Sequence, residues 1–460
     1  MADATDSPLS LARSTSAWLC HGLRLREAIE FDSPLLARLA ALSAILVAKV
    51  LALAGRTQAA FGLLSKVHAS AYSPRAARLV EGLLQSAIGT SGPRLEPNWI
   101  APVLRQHVDG QQPTGHTRRY FETPERMLGS IAMVVKSPRG GERGVIVIVY
   151  SYALPLFARL FDIERIAASY FLVLEPSWSG YCTPDILCFA TLEQPVFVQA
   201  YEPRDHQLIA GLGSNLTPVP VAANWWVDHR TFRPLADVVK DVDIIMIAGW
   251  ADFKRHHRLF KVLKDLRRRG HRLKVVLIGY PMQRTKADIA ARAADYGVLD
   301  QLEIYESIDQ DQVNRHLNRA KVNMIWSRRE GVNRAIVEGL FANVPCILRE
   351  GFNYGFHYPY VNELTGRFAS ESDAAETILW MLEHHQRFAP RTWALANMTC
   401  QVAAHAVDDA VRAMAARIGE PWSEPVAVKV NGLHGQQYWD PSDAERFAAD
   451  YDFLAACRRS

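Results

Sequence analysis

Five short apolar runs, each linked to the next by a stretch with helical spacing, occupy residues 241–350. The first, DIIMIAG (residues 243–249), lacks the polar alternation of a half-exposed strand, so it reads as a strand covered on both faces. HHRLFKVLKDLRRRG follows with helical periodicity and closes on Gly270, a helix stop. Strand KVVLIG, helix KADIAARAADYG, strand QLEIYE, helix DQDQVNRHLNRA and strand KVNMIW come next. A last helix leads to strand VPCIL. Strands alternating with helices over short connections specify a doubly wound, Rossmann-like domain. Such domains take ligands beyond the carboxyl ends of their strands.

The rest of the chain is expected to hold more than one further unit, because 460 residues exceed what one core fills. Residues 1–95 read as a helical segment and 96–222 as a second α/β domain. The clear domain spans 223–400, and 401–460 read as helices packing back on the body. In the second domain, strands are expected in SIAMVVKSP, GVIVIVYSY, YFLVLEP and PVFVQAY, with RGGERG as a turn between the first two. Residues 34–55, PLLARLAALSAILVAKVLALAG, contain Arg38 and Lys49, so the uncharged run is too short for a bilayer. That leaves a buried helix or one lying on a membrane surface.

Composition excludes several classes. A net charge of +4 over this length does not imply a nucleic-acid partner. The six cysteines are scattered without a C-x-x-C pair, which fits a reducing compartment better than a zinc or disulfide framework. No G-x-G-x-x-G follows a strand, so a dehydrogenase is not expected. A cytoplasmic protein, free or peripheral at the inner membrane face, is the expectation. Asp241 and Asp243 in DVD lead into a strand at the edge away from the ligand, so no metal is assigned to them.

The stretch SRREGVNRAIVEGLFANVPCI (residues 327–347) carries the chemistry. Glu330 follows strand KVNMIW, where a ligand would lie, and Gly331 lets backbone approach it. The next helix points free N–H groups and its positive dipole end into the same crevice, which suits a phosphate. Glu338 lies eight positions after Glu330, on a neighbouring helix face at ~80° by 3.6-residue periodicity. Alone, the two acids fit helix-start and surface charges. Together with a helix N-terminus around one crevice, they read as a site for a nucleotide diphospho-sugar.

This stretch resembles the Glu–seven residues–Glu motif of retaining GT-B glycosyltransferases, glycosyltransferase family 4. The resemblance runs over residues 222–370. NWWVDHRTFRPL is similar to the hinge before the family's donor domain, and IAGWADFKRHHRLF to its Gly-rich first loop with a phosphate-binding lysine. ANVPCIL and NELTGRF are similar to the strand and turn that close the motif. The family implies α/β architecture of the GT-B kind, two Rossmann-like domains facing a cleft, here with an extra helical N-terminal segment.

The resemblance also implies roles. Lys254 would neutralise the departing diphosphate and Glu330 would hold donor-sugar hydroxyls, the two catalytic assignments. Glu338 would bind ribose hydroxyls, and the stretch from Glu306 to Ile308 would read the base. Gly249, Ser327, Gly331, Asn333 and Arg334 complete the donor-contacting set. Where the family carries an arginine after the first-loop glycine, this chain has Trp250; Arg334 or Arg328 is expected to supply that charge. The donor is a substrate, and no separate cofactor is implied. The acceptor would be a glycan or a lipid-linked sugar, with a membrane surface as a further partner. Trp178 in EPSWSG is expected on a loop facing the cleft, and His256 and His257 at an exposed helix start. The competing expectation is a non-catalytic GT-B-like subunit of a polysaccharide assembly complex.

Overall fold

The computed structural model describes residues 34–70, 100–327, 330, 332–351, 358–432 and 435–459. The chain divides into two compact units at Gly82/Leu83. In the first, helices α1 (Pro34–Leu53) and α2 (Thr57–Ser70) pair and bury Ala41, Ile45, Ala48, Phe61 and Leu64. The expectation of a buried helix over residues 34–55 holds for one face only. Leu35, Leu39, Leu42, Leu46, Val50 and Leu53 are exposed. Among the described residues no helix is long and apolar enough to cross a membrane.

The second unit holds two α/β layers. The first sheet runs in the order β1 (Ala132–Lys136), β2 (Gly144–Val149), β3 (Tyr170–Glu175), β4 (Val196–Gln199), β5 (Leu216–Val219). β1 pairs antiparallel to β2, and the rest are parallel. Four of these strands are legible as apolar runs. β5 is not, because LTPV is short and carries Pro218; as the sheet's edge it tolerates a missing N–H.

The second sheet contains β6 (Val242–Ile247), β7 (Val275–Gly279), β8 (Leu302–Glu306), β9 (Ala320–Ile325), β10 (Cys346–Arg349) and β11 (Gly366–Ala369). Its order is β11-β10-β9-β6-β7-β8, parallel throughout. Helices α3 (His256–Arg268), α4 (Lys286–Asp295), α5 (Gln310–Arg319) and α6 (Arg334–Phe341) connect its strands. Their starts are fixed by side chains: Thr285 and Asp288 form a reciprocal capping box, and Asp309 and Asn333 each accept an N–H from the first turn. Separate apolar clusters cover the two sheet faces, Ile336, Leu340 and Phe341 in one and Leu259, Leu263 and Trp326 in the other.

The C-terminal segment differs from expectation. Helix α7 (Cys400–Ile418) crosses back toward the first sheet, but beyond it comes a hairpin before any helix, β12 (Lys429–Gly432) and β13 (Gly435–Tyr438). Lys429, Asn431 and Gln436 are buried in it. Polar strands buried in this way show no hydrophobic period in the sequence, which is why only helix was expected there.

Candidate active site

The strand order of the second sheet turns around between β6 and β9, which leads one to β7 and the other to β10. Such a switch point opens a crevice at the carboxyl ends of the two strands. The loop after β6 carries Gly249, Trp250 and Lys254; the loop after β9 carries Ser327, Glu330 and Asn333. These loops meet. Lys254 Nζ lies 2.6 Å from both carboxylate oxygens of Glu330, and Ser327 Oγ donates to Oε1 at 2.5 Å. Lys254 and Glu330 are both buried.

Asn333 caps α6, its Oδ1 accepting from Ile336 N at 3.1 Å. Glu338, a turn further on, is buried among apolar neighbours; burial pushes its carboxyl up against the pull of Arg334, whose Nε stands 3.7 Å away. A Cβ at Gly249 would lie 2.7 Å from Met282 Sδ and 2.9 Å from the Tyr280 ring, so the exposed ends of those two side chains would have to swing aside. Glu306 ends β8 and accepts from Trp250 Nε1 at 2.6 Å and from Lys286 N at 3.1 Å. Ser307 follows with φ +55°, and Ile308 beyond it packs against the apolar cluster that holds Ile336 and Leu340.

Several expected positions fall elsewhere. The Arg334 guanidinium turns toward the C-terminal hairpin, donating to Asn431 O at 2.6 Å and Gly432 O at 3.5 Å. Gly331 and Arg328 lie outside the described residues. His256 is not exposed. It packs at 5.3 Å between ring centroids against Trp250, and burial, ahead of the charges of Lys254 and His257, lowers its imidazole to about 3. Asp241 bonds Arg319 and Lys274, and Asp243 bonds Lys321.

The first domain closes over this crevice. Its loop EPSWSG faces the site: Ser179 Oγ donates to the Glu330 carbonyl at 2.8 Å, and Trp178 meets Phe253 edge-on with centroids 5.7 Å apart. Asn224 in the crossing segment donates to Asn333 O at 3.3 Å. Beneath, Lys429 Nζ lies 2.7 Å from Glu175 at the end of β3, and Asn431 Nδ2 donates to the same carboxylate at 2.6 Å. The partners of Ser179, Asn224 and Glu175 escape a sequence reading because each lies more than a hundred positions away.

Two Rossmann-like α/β domains facing a cleft, with paired charges at the switch point of the second, define a GT-B scaffold. Residues 229–387 match the family model described as Glycosyl transferases group 1. Among solved structures, sucrose-phosphate synthase from Thermosynechococcus elongatus gives a TM-score of 0.46 at 14% identity, over 59% of this chain and 74% of that one. HepE from Anabaena in complex with UDP gives 0.44 at 12% identity, over 59% and 78%. A mutant of S. aureus TarM gives 0.45 at 13% identity, over 55% and 52%. Comparison with curated proteins finds no match.

Proposed function

We propose that the chain is a retaining glycosyltransferase of the family 4 kind, transferring a sugar from a nucleoside-diphosphate sugar to a glycan or lipid-linked acceptor in glycoconjugate synthesis. The observation that carries this reading is the meeting of Lys254 and Glu330 at the switch point of a glycosyltransferase group 1 domain. In the free protein the ammonium neutralises the carboxylate. A bound diphosphate would draw Lys254 to itself and release Glu330 to accept sugar hydroxyls, while the N-terminal N–H groups of α6 face the phosphates. The anomeric carbon–oxygen bond then breaks with its electron pair passing to the diphosphate. The acceptor hydroxyl oxygen bonds to that carbon on the same face, and its proton goes to the leaving phosphate. Lys254 stabilises the charge that develops there. Glu338, Glu306, Ile308, Gly249 and Ser327 are proposed to line the nucleotide.

Nucleotide release from a panel of UDP- and GDP-sugars tests the proposal. One donor should be turned over, and Glu330→Ala should lower that rate by roughly 10²–10³-fold. Absence of turnover and of nucleotide binding across the panel would instead favour a non-catalytic subunit.

A further inference from the structure

In the helical pair, α1 is apolar on two sides. Ala41, Ile45 and Ala48 are buried, whereas Leu35, Leu39, Leu42, Leu46, Val50 and Leu53 are 53% to 90% exposed. At 3.6 residues per turn those six positions fall within ~80° of the helix circumference, centred roughly 130° from the buried three. Leu36 and Val47 widen the stripe on one side. Large aliphatic side chains scattered singly over a surface are ordinary; a continuous stripe along a whole helix marks an interaction surface.

The charge of the pair narrows the partner. Residues 34–70 contain Arg38, Lys49, Arg56 and Lys66 and no aspartate or glutamate. The whole chain has 52 lysines and arginines against 48 acids, so the remainder is balanced at 48 against 48. The net charge of +4 therefore resides in this pair. Lys49 at the border of the stripe, Arg56 between the two helices and Lys66 on α2 are all exposed.

A second copy of the chain fits the stripe poorly. Leu35, Leu39, Leu42, Leu46 and Leu53 follow the three-and-four spacing of a coiled-coil seam, but the position that completes it is Lys49. With no acid in residues 34–70, pairing two such faces would bring like charges together. A fluid anionic surface accommodates both properties. Aliphatic side chains enter the acyl boundary, while lysine and arginine reach acidic headgroups.

We propose that α1 lies on an anionic lipid surface, with its leucine stripe in the acyl boundary and Lys49 and Arg56 against the headgroups. The inference rests on the helical pair alone, so it stands or falls apart from the donor reading.

Flotation of the full chain with vesicles of phosphatidylcholine alone, and of phosphatidylcholine with about a third phosphatidylglycerol, tests it. Binding to the anionic vesicles should be roughly tenfold or more the stronger, and should fall as salt rises from about 0.1 to 0.5 M. Leu42→Ser with Leu46→Ser should weaken anionic binding by roughly tenfold or more. Lys49→Glu with Arg56→Glu should abolish the preference for anionic vesicles. No flotation of the wild type, equal flotation with neutral vesicles, or wild-type flotation of either variant overturns the inference. If circular dichroism shows the serine variant unfolded, the charge reversal, which alters only exposed side chains, decides alone. Sedimentation without lipid tests the rival: a dimer lost in the serine variant, with no vesicle binding, assigns the stripe to a second copy.

Discussion

At the scale of single residues, the loop after β6 places two basic side chains within two positions of each other and treats them oppositely. Lys254 keeps a carboxylate partner, whereas His256 is buried against Trp250 with Nε2 unbonded. Its imidazole is therefore held neutral, with a folded-state pKa of about 3 against the ordinary 6.5. The unfolded chain binds that proton from pH 6.5 downward and the folded chain does not. The stabilisation from a neutral His256 is thus fully present above pH 6.5 and is lost as pH falls toward 3. His256→Phe keeps a ring against Trp250 and removes the titration. Urea melts at pH 7 and pH 4 should show the wild type losing on the order of 2–4 kcal/mol more than the variant between the two. Parallel losses would mean that His256 is protonated in the fold.

At the scale of elements, five of the second sheet's six strands were readable from sequence because their apolar residues alternate with helical stretches, and three of the four connecting helices carry a side-chain cap. β11, read as a turn in NELTGRF, is too short and polar to show. Asp309 and Thr285 state where helices begin; Gly270 states where one stops. The crevice was readable for the same reason, since Lys254 and Glu330 each follow a legible strand. Close packing between elements left weaker marks. Gly339 lies on the face of α6 that presses on β9, and a Cβ there would come within 2.5 Å of Asn323 Nδ2. That amide is fully buried and donates to Ala335 O at 2.8 Å, tying strand to helix. It has little freedom to move aside. Gly339→Ala should therefore destabilise the fold by about 1–3 kcal/mol, despite alanine's better helix propensity. Chemical denaturation measures the balance; a stabilised variant would show that α6 can shift off the sheet.

At the scale of the whole molecule, the two α/β layers are joined by more than the crossing segment at Asn224. The hairpin of β12 and β13 is wedged below the cleft. It takes Arg334 of the second domain on the Asn431 carbonyl and gives Lys429 to Glu175 of the first. Lys429 and Glu175 are essentially inaccessible, and Lys429 also lies 4.4 Å over the Trp226 ring. Burial lowers the lysine's pKa while Glu175 raises it, the balance expected of a charge kept only by its partner. Removing one partner should therefore cost far more than removing both. Lys429→Met leaves a buried carboxylate with only amide donors from Asn431 and Gln199, and should cost roughly 3–5 kcal/mol. Lys429→Met combined with Glu175→Gln should recover most of that loss, because the amide can still accept from Asn431 without a charge to neutralise. A double-mutant cycle by thermal unfolding decides it. If the double variant is as unstable as the single one, the pair's charge is not what holds the hairpin, and its hydrogen bonds to the backbone carry the junction instead.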